Sequence, residues 1–97
     1  MNHHIDQFIF TAALTKERRG YTALCLELDV ASQGETIQEA TDALLEAVTL
    51  YLETAFENNV PYLRPVPPEA NPLLKKPATS LAQTLRLKVD FAIHAHV

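Results

Sequence analysis

Glu27 and Asp29 are the first residues in this chain that could do chemistry. They stand two apart in the apolar stretch TALCLELDV, so an extended backbone would project both to one face, about 7 Å apart. Asp6 would lie on the neighbouring strand. Three or four carboxylates converging on two Mg²⁺ ions about 4 Å apart are what two-metal phosphoryl-transfer chemistry requires. Strand-end carboxylates more commonly meet solvent or cap turns, and Asp6 sits close to the start of the sequence, so catalysis is not expected. His94 and His96 alternate on a strand and could begin a zinc site, but zinc needs three or four ligands. His3 and His4 would complete the set only if the two ends met. The expected reading is a wet strand face, with no metal and no cofactor. Cys25 is the one cysteine and lies among apolar residues, which predicts a buried reduced thiol and not a nucleophile. No phosphate-binding loop, dinucleotide fingerprint, Ser-His-Asp arrangement or CxxC occurs, and two glycines are too few for a phosphate cradle.

A second group of residues suggests binding. From Glu35 to Glu57 there are six acidic residues and no Lys or Arg. At about 100° per residue, Asp42, Glu46, Glu53 and Glu57 fall within about 60° of Glu39 on a helix, and Leu50 lies at the edge of that stripe. A solvated outer face is the plain explanation. Such faces usually mix signs, however, and gain a few tenths of a kcal/mol from i,i+4 pairs. A row of one sign would steer a basic partner. Glu39, Asp42, Glu46, Leu50 and Glu53 are therefore the candidate partner-binding residues, with Leu50 as an apolar anchor.

The elements that must carry these residues follow from periodicity. Residues 5–15 alternate, with Phe8, Phe10, Ala12 and Leu14 on one face of a strand. The turn KERRG ends in Gly20, which can supply positive φ and send the next strand back antiparallel. Residues 21–28 are apolar on both faces, with Leu24, Leu26 and Leu28 on one side and Tyr21, Ala23 and Cys25 on the other, as in a central strand. Residues 30–33 would close a meander at Gly34. Thr36 and Glu39 form a capping-box sequence for a helix whose apolar stripe is Ile37, Ala40, Leu44, Val48, Tyr51 and Ala55, stopping near Asn58-Asn59. All six prolines lie within residues 61–77, which predicts an extended connector over 61–80 lying across the surface. Residues 83–97 alternate as a half-buried terminal strand. It either joins the chain's own sheet or pairs with another subunit, and self-association through it is expected.

The predicted fold is thus α+β, a β-β-β-α-β order in a single domain of 97 residues. With 47% hydrophobic residues the chain can close a core. A net charge of −4 argues against general nucleic-acid binding. No apolar run reaches membrane-spanning length and no signal peptide opens the sequence, so a cytoplasmic protein is expected.

Gly20-Tyr21, the turn Ser32-Gln33-Gly34-Glu35-Thr36 and the helix opening Gln38-Glu39-Ala40, in that order and spacing, resemble the HicB-like antitoxin family. The resemblance spans about residues 8–57. It implies a partial ribonuclease-H-like fold, three antiparallel strands with a helix across them, that lacks the catalytic site. It also implies a partner: a small basic HicA-type toxin, a ribonuclease with a double-stranded-RNA-binding-like fold and a catalytic histidine, which the antitoxin binds and blocks. Two departures stand out. Asp29-Val30-Ala31 replaces a Pro-Gly turn common in the family, and a last strand ending at Val97 leaves no room for a DNA-binding tail, so operator binding is not expected. The alternative is a stand-alone oligomeric partner- or ligand-binding module with no toxin and no catalysis.

Overall fold

The computed structural model describes the backbone of residues 3–74 and 81–94, with side chains over 7–74 and 81–90. Its elements are β1 (His3–Lys16), β2 (Tyr21–Cys25), β3 (Val30–Gly34), α1 (Ile37–Glu57), a 3₁₀ turn at Pro68–Ala70 and β4 (Leu81–His94). The sheet is antiparallel in the order β3-β2-β1-β4, with α1 packed on one face. This is the α+β architecture expected, and the terminal strand joins the chain's own sheet.

The β1–β2 turn closes as Gly20 predicts. Its φ is +84°, and the Glu17 N–H donates to its carbonyl at 3.0 Å. Gly34 is required for a different reason: a Cβ there would stand 2.5 Å from the Ala40 nitrogen and 2.7 Å from the Glu39 Cβ. The first turn of α1 therefore rests directly on β3. Thr36 caps α1 by accepting from the Glu39 N–H at 3.0 Å. The far end is a Schellman closure with Asn59 at φ +52°. There the Val60 N–H donates to the Ala55 carbonyl and the Asn59 N–H to that of Phe56.

The core joins Phe10, Ala12 and Leu14 of β1 with Ala23 and Cys25 of β2, Leu87 and Val89 of β4, and Ala40, Leu44, Val48 and Leu52 of α1. Ala12, Ala23 and Ala40 are wholly buried, and these small side chains let the helix sit close to the sheet. Leu52 belongs to the buried stripe, while Tyr51 is only half-buried.

Two expectations about the second strand are corrected. It stops at Cys25 instead of Leu28, and residues 26–29 turn away with Asp29 at φ +54°. Its core face is the Ala23/Cys25 face. Leu24 and Leu26 remain half-buried, and Leu28 reaches the core only because the turn carries it there.

The stop has a visible cause. The Leu26 N–H still donates to the Thr11 carbonyl at 3.0 Å, so the ladder extends one step past Cys25. The return bond is replaced twice over. The Thr11 N–H donates to Glu27 Oε1 at 2.8 Å, and the Leu26 carbonyl accepts from the Val66 N–H at 2.8 Å. The connector thereby docks on the turn, helped by the Arg64 N–H to the Glu27 carbonyl at 2.9 Å. Val66 is buried there.

β1 and β4 pair along nearly their whole length, from His3↔His94 to Thr15↔Leu81, whereas β2 covers β1 only over Ala12–Lys16. A two-stranded ribbon therefore extends past the meander, and the molecule measures 51 × 25 × 18 Å.

Candidate functional site

α1 places the predicted binding residues together. Glu39, Asp42, Glu46, Leu50 and Glu53 are all exposed, on the side of the helix opposite Ala40, Leu44, Val48 and Ala55. Leu50 exposes 58% of its surface amid carboxylates. Leu45, at 38%, flanks the stripe and was missed by sequence reasoning, because its angle around the helix falls between the two faces. Asp42 accepts from Gln38 Nε2 at 2.8 Å, one turn back. No carboxylate of this helix is paired with a cation among the described residues. The result is an acidic ridge with an apolar centre and no competing basic side chain of its own. Chemically it can attract a cationic surface and offer Leu50 for desolvation.

Of the other sequence candidates, the described pair Glu27 and Asp29 is not brought together. Glu27 does not share a strand face with Asp29. Its two oxygens accept from the Thr11 N–H and the Thr11 Oγ1, both at 2.8 Å, which occupies the carboxylate in holding the strand end. Asp29 is exposed on the turn, and its carbonyl accepts from Arg64 Nη2 at 3.2 Å. Among the described residues no group of three or more His, Cys, Asp or Glu could hold a metal. The side chains of Asp6, His3, His4, His94 and His96 lie outside the described residues. Cys25 is fully buried and its thiol is pushed up to about 11, first by desolvation and then by the negative charge of Glu27. Such a thiol is protonated and inert at neutral pH.

No family model, curated protein or solved structure matches this chain. Among the described residues no helix is long and apolar enough to cross a membrane.

Sequence reasoning also passed over Arg64. It spans the turn and the helix: Nε donates to the Leu28 carbonyl at 3.2 Å, and the guanidinium lies 5.2 Å from the centre of the Tyr51 ring. Tyr51 Oη in turn donates to the Tyr62 carbonyl at 2.7 Å. One Arg in a proline-rich stretch carries no periodic signal, so only the folded chain reveals this clamp.

Proposed function

We propose that this chain is a HicB-like antitoxin domain, a non-catalytic cytoplasmic module that neutralises a small basic HicA-type ribonuclease by occluding its active site. The observation that carries the reading is the outer face of α1, where Glu39, Asp42, Glu46 and Glu53 surround an exposed Leu50 with no cation among them. Like charges in a row weaken an isolated helix by a few tenths of a kcal/mol per i,i+4 pair. That cost is offset if the ridge meets a basic partner, whose approach it also accelerates. A ribonuclease supplies such a surface, because its own substrate is a polyanion. The partial ribonuclease-H-like character belongs to the same proposal. In it Glu27 serves the strand end and takes no part in hydrolysis.

The test is co-purification of the tagged chain expressed with its native flanking genes. Recovery of a small basic protein at stoichiometric level, toxic when expressed alone, is the expected result. Reversing charge at Glu39, Asp42 and Glu46 together should then slow association by about tenfold or more, with the effect shrinking in high salt. Leu50→Ala should weaken the complex by about 1–2 kcal/mol through faster dissociation. If the chain is recovered only with copies of itself, the better account is a stand-alone oligomeric module without a toxin.

A further inference from the structure

Among the described residues β4 closes the strand order β3-β2-β1-β4, with no strand beside its outer edge. The register identifies the groups on that edge. Thr11 directs its main-chain bonds towards β2, so the even-numbered residues of β1 bond towards β4, where Phe10 faces Leu87 and Phe8 faces Val89. In an antiparallel ladder the alternate residues of β4 must then point outwards. The N–H and C=O groups of Thr84, Arg86, Lys88 and Asp90 therefore line the free edge. Their side chains are exposed on the face away from α1, while Leu87 and Val89 are buried on the α1 face.

Open edges of this length are normally protected by proline, a bulge or charges of one sign that repel a second copy. From Thr84 to His94 there is no Pro or Gly, and the only irregularity in the β1–β4 ladder lies at Leu14/Thr15, away from this stretch. The charges are also of both signs: Lys88 and Asp90 stand two apart on the exposed face.

We propose that β4 pairs antiparallel with β4 of a second copy of this chain, about a two-fold axis through Val89, making one continuous sheet from the two. In that register Val89 faces its counterpart, and Lys88 of each copy stands opposite Asp90 of the other. Moving the axis to Lys88 sets Lys88 against Lys88 while Arg86 faces Asp90, and moving it to Asp90 sets Asp90 against Asp90. Only the Val89 axis has opposite-charge pairs with no like-charge contact, and directly opposed like charges destabilise a strand pair. The edge thus selects its own register. Main-chain hydrogen bonds give the affinity, as in strand-addition complexes generally, and the two ion pairs give the alignment. This pairing leaves the outer face of α1 free and does not depend on its proposed role.

Charge exchange tests the register. Light scattering and sedimentation over about 1–500 µM should show a monomer–dimer equilibrium for the unaltered chain. D90K creates two like-charge contacts and also removes the Arg86–Asp90 pairs of the neighbouring register, so it should raise the dimer dissociation constant about tenfold or more. K88D should raise it less, because Arg86 can still face Asp90 after a one-residue shift, and the double exchange K88D/D90K should return it to within about threefold. Asp90 also accepts from Gln7 Nε2 at 3.2 Å, so Q7A serves as the control and should leave dimerisation unmoved. Amides of Arg86 and Lys88 should become protected from exchange as concentration rises. Circular dichroism establishes that each variant is folded. A chain that stays monomeric throughout overturns the proposal, as does a dimer indifferent to the single exchanges or a double exchange that fails to restore it. Protection of this edge only on addition of a different protein would also overturn it and assign the edge to a foreign strand.

Discussion

Glu27 illustrates how one side chain can set an element boundary. By accepting from both donors of Thr11 it takes the place of a main-chain carbonyl and frees that of Leu26 for the connector. Glu27→Ala leaves the half-buried Thr11 N–H without an acceptor and should cost about 1–3 kcal/mol in urea unfolding. Glu27→Gln keeps the shape and one acceptor oxygen and should cost less; equal losses would show that a single amide oxygen does not replace the carboxylate. Cys25 makes a prediction of opposite character. Its folded-state pKa, raised to about 11, lies above its ordinary value of 9.0, so above pH 9 the unfolded chain gives up a proton the native state keeps. This contribution is therefore fully present below the unfolded pKa and lost as pH rises towards about 11, with a limiting slope of about 1.4 kcal/mol per pH unit. Urea midpoints for the unaltered chain should fall across that window, and Cys25→Ala should flatten the fall. Iodoacetamide should label the thiol only after denaturation.

At the scale of elements, α1 is held by its ends as much as by its core stripe. Thr36→Ala removes the acceptor for the Glu39 N–H and should cost about 1 kcal/mol. Asn59 has φ +52°, so Asn59→Gly should be neutral or stabilising, whereas Asn59→Val should destabilise by about 1 kcal/mol or more. Gly34→Ala should be worse than either, because the new methyl group meets backbone of the first helical turn that cannot move without lifting α1 off β3. Thermal melts of the four variants rank these effects, and a mild Gly34→Ala would show that the helix can shift. The helix start and stop were legible in the sequence since Thr-x-x-Glu and Asn-Asn act through local geometry alone. The exposure of Glu39, Asp42, Glu46, Leu50 and Glu53 was legible for a similar reason, because a helix with one apolar stripe must turn its opposite side outwards. The Arg64 clamp was not, since the Leu28 and Asp29 carbonyls that it bonds lie more than thirty residues away in sequence.

For the whole molecule, the consequence of a short β2 beside a long β1 is uneven protection. Gln7 and Ile9 direct their amides to the side where β2 has ended, whereas Phe8 and Phe10 bond to β4. Hydrogen exchange should therefore be fast at Gln7 and Ile9 and slow at Phe8 and Phe10, alternating along one strand. Uniform protection from residue 7 to residue 10 would mean that another segment or copy covers that side. The ribbon is not left bare on its α1 face. Phe8 lies 6.0 Å from Phe10, 5.9 Å from Phe56 and 5.8 Å from Tyr62 between ring centres, so the aromatic cluster ties its near end to the helix and connector. An isolated two-stranded ribbon is marginal in water, and this anchoring supplies what pairing alone does not.

The amino-acid sequence by itself determined the β-β-β-α-β order, the limits of α1, the turn at Gly20 and the alternation of the last strand. Each follows from contacts within a few residues, where periodicity and capping act. Tertiary structure alone decided which face of β2 became the core. Both faces are apolar, and the choice of Ala23 and Cys25 over Leu24 and Leu26 reflects how closely a helix bearing Ala40 can approach small side chains. It also decided where β2 ends, because Glu27 takes the Thr11 N–H and Val66 the Leu26 carbonyl, and together they replace one ladder hydrogen bond. Nor could the sequence show that β4 would lie antiparallel to β1 at the end of the described sheet, since alternation marks which side chains are buried and is silent on which neighbour buries them.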